Sequence, residues 1–273
     1  MQYLKKDKKM NKKKQSLSLS FSKIESLEEV KDTNNTEKSL DIQECFCLKS
    51  PKGHQSNWVE VYANFSALET LDGFQEGLRK LHANSCANLE TAVGLPASCK
   101  EAYFDGSGVH ALYVIDQSLY TATHMTAGLE LLSLRNCSNL YTLRGIAPTC
   151  KTVKIDETSV ISLKELPNGI ENVSATWCKH LKTTEGLPAS CQYLDLSFSA
   201  IETLKDIPAD IKEVRVYNCN NLKKECLKSV PVCVLPRIKG LSADAAQYAE
   251  MLIVAAHKKQ RRKRALQSQK VRG

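Results

Sequence analysis

Residues Leu129 to Val216 read LELLSLRNCSNLYTLRGIAPTCKTVKIDETSVISLKELPNGIENVSATWCKHLKTTEGLPASCQYLDLSFSAIETLKDIPADIKEVRV. Two alternating phrases fill this stretch. One is Leu132-x-Leu134-x-x-Cys137-x-x-Leu140-x-x-Leu143, closing with Pro148. The other is Val153-x-Ile155-x-x-Thr158-x-Val160-x-x-Leu163, closing with Leu166-Pro167. The first returns at Val173, Ala175, Cys178 and Leu181, the second at Leu194, Leu196, Ser199, Ile201 and Leu204, and the first begins again at Val214, Val216, Cys219 and Leu222. The anchors 132, 153, 173, 194 and 214 are spaced 21, 20, 21 and 20. Apolar residues at alternate positions of a short strand point to one side. A single unit cannot bury that side, but stacked units share one continuous core.

A fixed period near 20 that opens on such a phrase reads as a leucine-rich repeat. The expected fold is an α/β-type solenoid: a leucine-rich repeat horseshoe with short parallel strands on the concave face, an irregular convex side and a C-terminal capping helix. Working outward, anchors at 40, 59, 81 and 102 precede the quoted stretch, for nine units in all. The step from 102 to 132 is 30, so about ten residues near 116–125 are inserted, as a loop or a binding protrusion; insertions in solenoids fall on one face. Leu95-Pro96, Ala147-Pro148, Leu166-Pro167, Leu187-Pro188 and Ile207-Pro208 mark the returns. Proline removes a donor and disfavours helix in the residue before it. The returns are therefore expected to be extended or short helical segments.

Three regions follow. Residues 1–36 form a disordered basic N-terminal segment with a short helix on Ile24, Leu27 and Val30 that Ser22 and Glu25 would box. Residues 37–232 form the repeat body, its last irregular strand at Val230–Val234. Residues 233–273 hold a capping helix and a basic tail. Ser242 is placed to cap that helix, and Ala245, Tyr248, Leu252 and Ala255 share one of its sides.

The formal net charge of +8 is unevenly distributed. Residues 1–14 carry seven Lys and one Asp, and residues 257–273 carry eight Lys or Arg and no acid. The remaining body holds 23 basic and 29 acidic residues, about −6, so its bulk field does not draw phosphate backbones. The chain has eleven cysteines in columns. Cys45, Cys86, Cys137, Cys178 and Cys219 share one place in the repeat, and Cys99, Cys150 and Cys191 another. Small buried apolar residues explain both columns, and free thiols fit a reducing cytoplasm. No apolar run is long enough for a membrane span, and no secretory signal opens the chain.

Gly94-Leu95-Pro96-Ala97-Ser98-Cys99, Gly186-Leu187-Pro188-Ala189-Ser190-Cys191 and Asp206-Ile207-Pro208-Ala209-Asp210-Ile211 resemble the short LPX-type leucine-rich repeats of bacterial YopM and IpaH/SspH effectors. The chain departs from that family by placing Cys, Thr or Ser where the family favours Asn, and by reducing a double Leu-Pro phrase to one. The ligase members carry a helical catalytic domain after the repeats; residues 233–273 are too few for it. What the resemblance implies is a scaffold secreted into a host cell, binding a host protein in the host cytoplasm or nucleus, without a ubiquitin ligase domain.

No catalytic constellation emerges. His54, His82, His110, His124, His180 and His257 have no Ser, Cys or acid partner in a known motif, and no glycine-rich phosphate loop is present. The reading is non-enzymatic, with no cofactor and no metal site; Cys45-x-Cys47 has no matching pair. The concave positions are more informative. Trp177, Tyr193, Asp195, Phe198, Arg215 and Tyr217 fall on neighbouring strands, and exposed aromatics with Arg are the composition of protein-binding hot spots. The competing reading of the rings is ordinary cross-strand packing. The basic tail Lys258, Lys259, Arg261, Arg262, Lys263 and Arg264 supports an alternative, a nuclear or nucleic-acid-associated adaptor making weak contact through that tail.

Overall fold

The structure, a computed structural model, describes residues 16–30, 38–53, 58–116, 121–125 and 128–270. Eleven three-residue or shorter strands stack in parallel: β1 (Ser16–Ser18), β2 (Ser39–Asp41), β3 (Glu60–Tyr62), β4 (Lys80–His82), β5 (Glu101–Tyr103), β8 (Leu131–Ser133), β9 (Thr152–Lys154), β10 (Asn172–Ser174), β11 (Tyr193–Asp195), β12 (Glu213–Arg215) and β13 (Ile238–Lys239). Strands β6 (Tyr113–Asp116) and β7 (Thr121–His124) form a separate antiparallel pair. In the main sheet each strand lies beside the next, with β5 paired directly to β8. This is the solenoid that the period dictates.

The register puts Leu17, Leu40, Val61, Leu81, Ala102, Leu132, Val153, Val173, Leu194, Val214 and Ile238 in one file. All but the first are buried. The core is continuous because each unit adds the same inward set: in one unit Leu132, Leu134, Cys137, Leu140 and Leu143 are all fully buried. Each fully buried Leu side chain contributes roughly 2 kcal/mol of transfer free energy, against which the ordering of each short strand must be set. On the convex side the prolines open tight turns. Cys150 N–H donates to Ala147 O at 3.0 Å, Ile170 N–H to Pro167 O at 3.1 Å and Cys191 N–H to Pro188 O at 3.0 Å.

The two phrases alternate for a reason visible at the cysteine column. Successive rungs carry Ser22, Cys45, Ser66, Cys86, Ser107, Cys137, Thr158, Cys178, Ser199 and Cys219 in this place. Each of these five thiols donates back across the stack: Cys86 to Ala63 O at 3.1 Å, Cys137 to Phe104 O at 3.2 Å, Cys178 to Ile155 O at 3.1 Å. Of the hydroxyl rungs between them, Ser107 and Thr158 also bond within their own turn, to Phe104 O at 2.6 Å and Ile155 O at 2.8 Å, while Ser22, Ser66 and Ser199 lie 3.4–3.8 Å from the thiol of the next rung. Each thiol thus reaches back to a carbonyl of the preceding rung, and at Phe104 and Ile155 a hydroxyl shares that carbonyl, so these buried acceptors at the corner are satisfied. All eleven cysteines are free, and eight of them are buried.

The structure differs from the sequence reading at several points. The second anchor is Val61, not Val59, which is 38% exposed where the chain bends into β3. Two further rungs extend the nine, β1 before them and β13 after. Ser16–Ser18, expected to be disordered, pairs with β2; the Lys-rich residues 1–15 and residues 31–37 lie outside the described residues. No α-helix forms over 24–30, only a 3-10 turn at Leu27–Glu29. The last irregular strand is displaced from Val230–Val234 to β13, with 3-10 turns at Lys224–Ser229 and Leu235–Arg237 between β12 and it. Pro231 and Pro236 punctuate that segment and keep it from pairing sooner. The described part of the insertion is the antiparallel β6–β7 pair.

Helix α1 (Ala243–Lys270) follows. Ser242 Oγ accepts from Ala245 N–H at 3.3 Å, as a cap does. Ala245 and Ala249 are buried, and Tyr248, Leu252 and Ile253 pack against the core edge, contacting the two 3-10 turns. Ala255, expected on that side, is exposed. From His257 to Arg264 every side chain is exposed.

Candidate functional site

Ten rungs leave their strand through a residue in left-handed backbone: Phe21, Glu44, Phe65, Ser85, Gly106, Asn136, Glu157, Trp177, Phe198 and Asn218. Gly, Asn and Ser suit such a corner; an aromatic side chain there costs roughly 1–2 kcal/mol. At Trp177 (φ 59°) and Phe198 (φ 63°) burial does not repay that cost, because the side chains are 47% and 40% exposed. Their rings stack face to face, 4.5 Å apart and 2° from parallel.

These rings form the rim of an open concavity of about 760 Å³. Asp195, Arg215 and Tyr217 line it too, with Thr176, Ser197, Glu213, Asn218 and Lys239. Tyr217 is held against backbone: a Cβ on Gly240 would fall 2.6 Å from its ring, so only glycine, here at φ 82°, lets the chain pass beneath. Of the six residues expected to form a patch, five therefore line one concavity. Tyr193 shares the outward face of β11 with Asp195 but stands at the start of the strand, where it lines a smaller neighbouring depression with Lys154, Asp195, Glu213 and Arg215. Lys212 caps the Tyr193 ring at 5.4 Å from its centroid.

The polar groups between the rings are fixed by one another. Asp156, 8% exposed, accepts from Ser174 Oγ at 2.5 Å, Thr176 N–H at 2.8 Å and Arg135 Nε at 2.8 Å. Asp195 accepts from Ser197 N–H at 3.0 Å and Ser197 Oγ at 2.6 Å. Arg215 is bracketed by Glu213, 2.6 Å from Nε, and Asp195, 3.6 Å from a terminal nitrogen. The concavity is ordered from within: rings fixed by stacking, carboxylates already hydrogen-bonded, and a half-exposed guanidinium oriented by two acids. It offers no nucleophile poised by a base.

A second ring cluster escaped the sequence reading. Tyr62, His82 and Tyr103, at the same place in β3, β4 and β5, stack with centroids 4.9 and 4.8 Å apart. Glu60 lies 3.6 Å from His82 Nε2, and Tyr103 O–H donates to Glu101 at 2.9 Å. Burial, then the neighbouring Lys80, holds the His82 imidazole below its ordinary pKa, so it is neutral at pH 7. The signal was available: aromatic residues recur in one column at steps of 20 and 21.

The basic tail residues Lys258, Lys259, Arg261, Arg262, Lys263 and Arg264 all stand exposed on α1 and take no part in the concavity. Among the described residues no group of three or more His, Cys, Asp or Glu side chains is arranged to hold a metal ion, and no helix is long and apolar enough to cross a membrane.

Neither a family model nor a curated protein sequence matches the chain. Among solved structures, it is similar to YopM from Yersinia enterocolitica WA-314, at 16% sequence identity and a TM-score of 0.41. The match covers 74% of this chain and 50% of that one, so this chain spans about half the length of that protein.

Proposed function

We propose that this chain is a non-enzymatic scaffold that binds a protein on its concave face, through Trp177, Phe198 and Tyr217 with Asp195, Arg215 and the adjoining Tyr193. The observation that carries the reading is the Trp177–Phe198 pair. Four aromatic residues, Phe21, Phe65, Trp177 and Phe198, occupy a backbone corner that disfavours them and stay exposed, and Trp177 and Phe198 stand on adjacent rungs with their rings stacked beside Arg215 and Tyr217. Stability alone does not select that arrangement, whereas a hot spot uses it. The repeat phrases that resemble LPX-type effectors supply the setting: secretion from a bacterium and engagement of a host protein in the host cytoplasm.

The test is affinity capture from host cytosol and nuclear extract with three baits: wild type, Trp177→Ala/Tyr217→Ala and a chain truncated after Ala256. A protein held by the wild type and by the truncated chain but lost with the double substitution supports the concave site. Equal capture by all three baits overturns it. The effector setting is tested separately, by following export of the tagged chain from a type III-competent bacterium with and without residues 1–15.

The alternative, a nuclear or nucleic-acid-associated adaptor, draws on α1. The helix runs on through six basic side chains that all stand exposed. On that reading, capture fails with the truncation, survives the double substitution, and weakens steeply with added salt.

A further inference from the structure

The proposed groove contains charges of two kinds, committed and uncommitted. Its carboxylates are committed: Asp156 to Arg135, Ser174 and Thr176, and Asp195 and Glu213 to Arg215. Arg215 is committed to them in return. Lys154 and Lys239, which line the smaller depression and the larger concavity respectively, make no ion pair among the described residues. The strand register sets both lysines in one file, running Ser133, Lys154, Ser174, Asp195, Arg215, Lys239. Among the residues that line the two depressions the unpaired charge is therefore positive and sits at the two ends, with the aromatic rim nearer the Lys239 end; exposed Glu157, at the corner one rung before Trp177, lies outside both linings.

We infer that the groove takes an extended acidic peptide segment whose two carboxylates are about six residues apart, one on Lys154 and one on Lys239, with an apolar side chain between them on Trp177, Phe198 and Tyr217. This rests on the protein-binding reading above and deepens it. The spacing follows from the fold. Lys154 and Lys239 are four strands apart, about 19 Å at ~4.8 Å per strand, and an extended chain covers that in about six residues at ~3.3 Å each. Charge sign excludes the chain's own Lys- and Arg-rich ends as occupants. A nucleic-acid strand fits poorly, since a phosphate about every 3.4 Å would be set against Asp195 and Glu213 as well as the lysines. Isolated carboxylates on a peptide avoid that repulsion.

The experiment uses fluorescein-labelled, blocked eleven-residue peptides carrying one Trp and two Glu at separations of two, four, six or eight, with Gln-for-Glu and Lys-for-Glu controls. Binding to the full chain is read by fluorescence anisotropy at low and physiological salt. The separation of six is expected to bind tightest. Replacing either Glu by Gln is expected to weaken it ~3–10-fold, a range set by partly exposed charge pairs. Lys154→Gln and Lys239→Gln should each give the same loss, and each should abolish sensitivity to one particular Glu of the peptide. Neither lysine supports the fold, so the thermal melts should match wild type. Affinity independent of separation, tighter binding of the Lys peptides, no binding at any separation, or indifference to both Lys substitutions would each overturn the inference. The failures remain separable. If host-protein capture still depends on Trp177 and Tyr217 while the spacing or the lysines do not matter, only the acidic-segment inference falls.

Discussion

A thiol in this chain is first a packing group. Burial pushes the Cys99, Cys150 and Cys191 thiols up to about 12, and Cys137 up to about 11, because each thiolate would lose its water. The sign of the resulting pH effect is fixed by linkage. The unfolded chain gives up these protons near pH 9 while the folded chain keeps them, so stability is full below pH 9 and falls as pH rises towards 12. The urea midpoint should drop across that window, and Cys99→Ala/Cys150→Ala/Cys191→Ala should flatten the slope while lowering stability at pH 7 through the cavities left behind; an unchanged slope would refute buried thiols. In the same way Cys137 and Cys178 should alkylate slowly in native buffer and quickly in denaturant. Trp177 behaves in the opposite sense. Trp177→Asn loses a stacked pair worth roughly 0.5–1.5 kcal/mol but relieves a left-handed aromatic costing roughly 1–2 kcal/mol. Its melt should stay within about 1 kcal/mol of wild type, and a large loss would show the ring to be structural. Such residue-level facts were partly legible. Both cysteine columns could be read from spacing, because burial at a fixed place in a repeat is periodic. The left-handed corner could not, since its ten occupants range from Gly to Trp and share a backbone angle rather than a chemistry.

Elements were legible where their period was strict and elusive where it lapsed. The rungs from Leu132 to Val214 sit where the spacing put them, because a one-residue slip would turn every Leu of a strand towards water. The error at Val59 arose where Val59 and Val61 both fit the alternation and only the neighbouring rung chooses between them. Strand β1 was missed because a three-residue Ser-Leu-Ser strand carries almost no propensity and forms by pairing with β2. Helix α1 was read correctly in its first turns from Ser242 and the apolar spacing. It has two unequal halves. Residues 243–253 cover the edge formed by Leu227, Val234, Leu235 and Ile238. The side chains of residues 257–264 are all exposed, and like charges at Lys258/Arg262 and Lys259/Lys263 repel at one-turn spacing. Truncation after Ala256 should therefore leave the thermal midpoint nearly unchanged. Truncation after Gly240 should lower stability by several kcal/mol, since it wets a core edge built from at least four apolar side chains. Equal effects of the two cuts would show that α1 does not act as a cap.

Across the whole molecule, each rung touches only its neighbours, so stability is close to a sum of rung and interface contributions. The concave face built on that stack is divided. Its N-terminal part bears the Tyr62–His82–Tyr103 stack with Glu60, Glu101 and Asp41; its C-terminal part bears Trp177, Phe198 and Tyr217 with Arg215 and the two uncommitted lysines. Sequence reading found the second part because Trp and Phe beside Arg are conspicuous, and missed the first because its rings become a cluster only once three strands are aligned. The linear stack also fixes how damage spreads. Leu194, 2% exposed, lies between Val173 and Val214 in the file of anchors. Leu194→Asp would bury a carboxylate with no partner, a cost of several kcal/mol that rung β11 cannot absorb alone. The rungs on its C-terminal side, β12 and β13, have little core of their own, whereas those from β2 to β9 keep theirs. Hydrogen exchange on this variant should show amides from about residue 173 to the end of β13 losing protection, with amides of β3 to β8 still protected. The concavity rimmed by Trp177 and Phe198 would vanish with the unfolded rungs while the Tyr62–His82–Tyr103 stack persisted. Uniform loss of protection along the chain would mean instead that the solenoid folds as one cooperative block, and that its two concave clusters cannot be separated by destabilising one end.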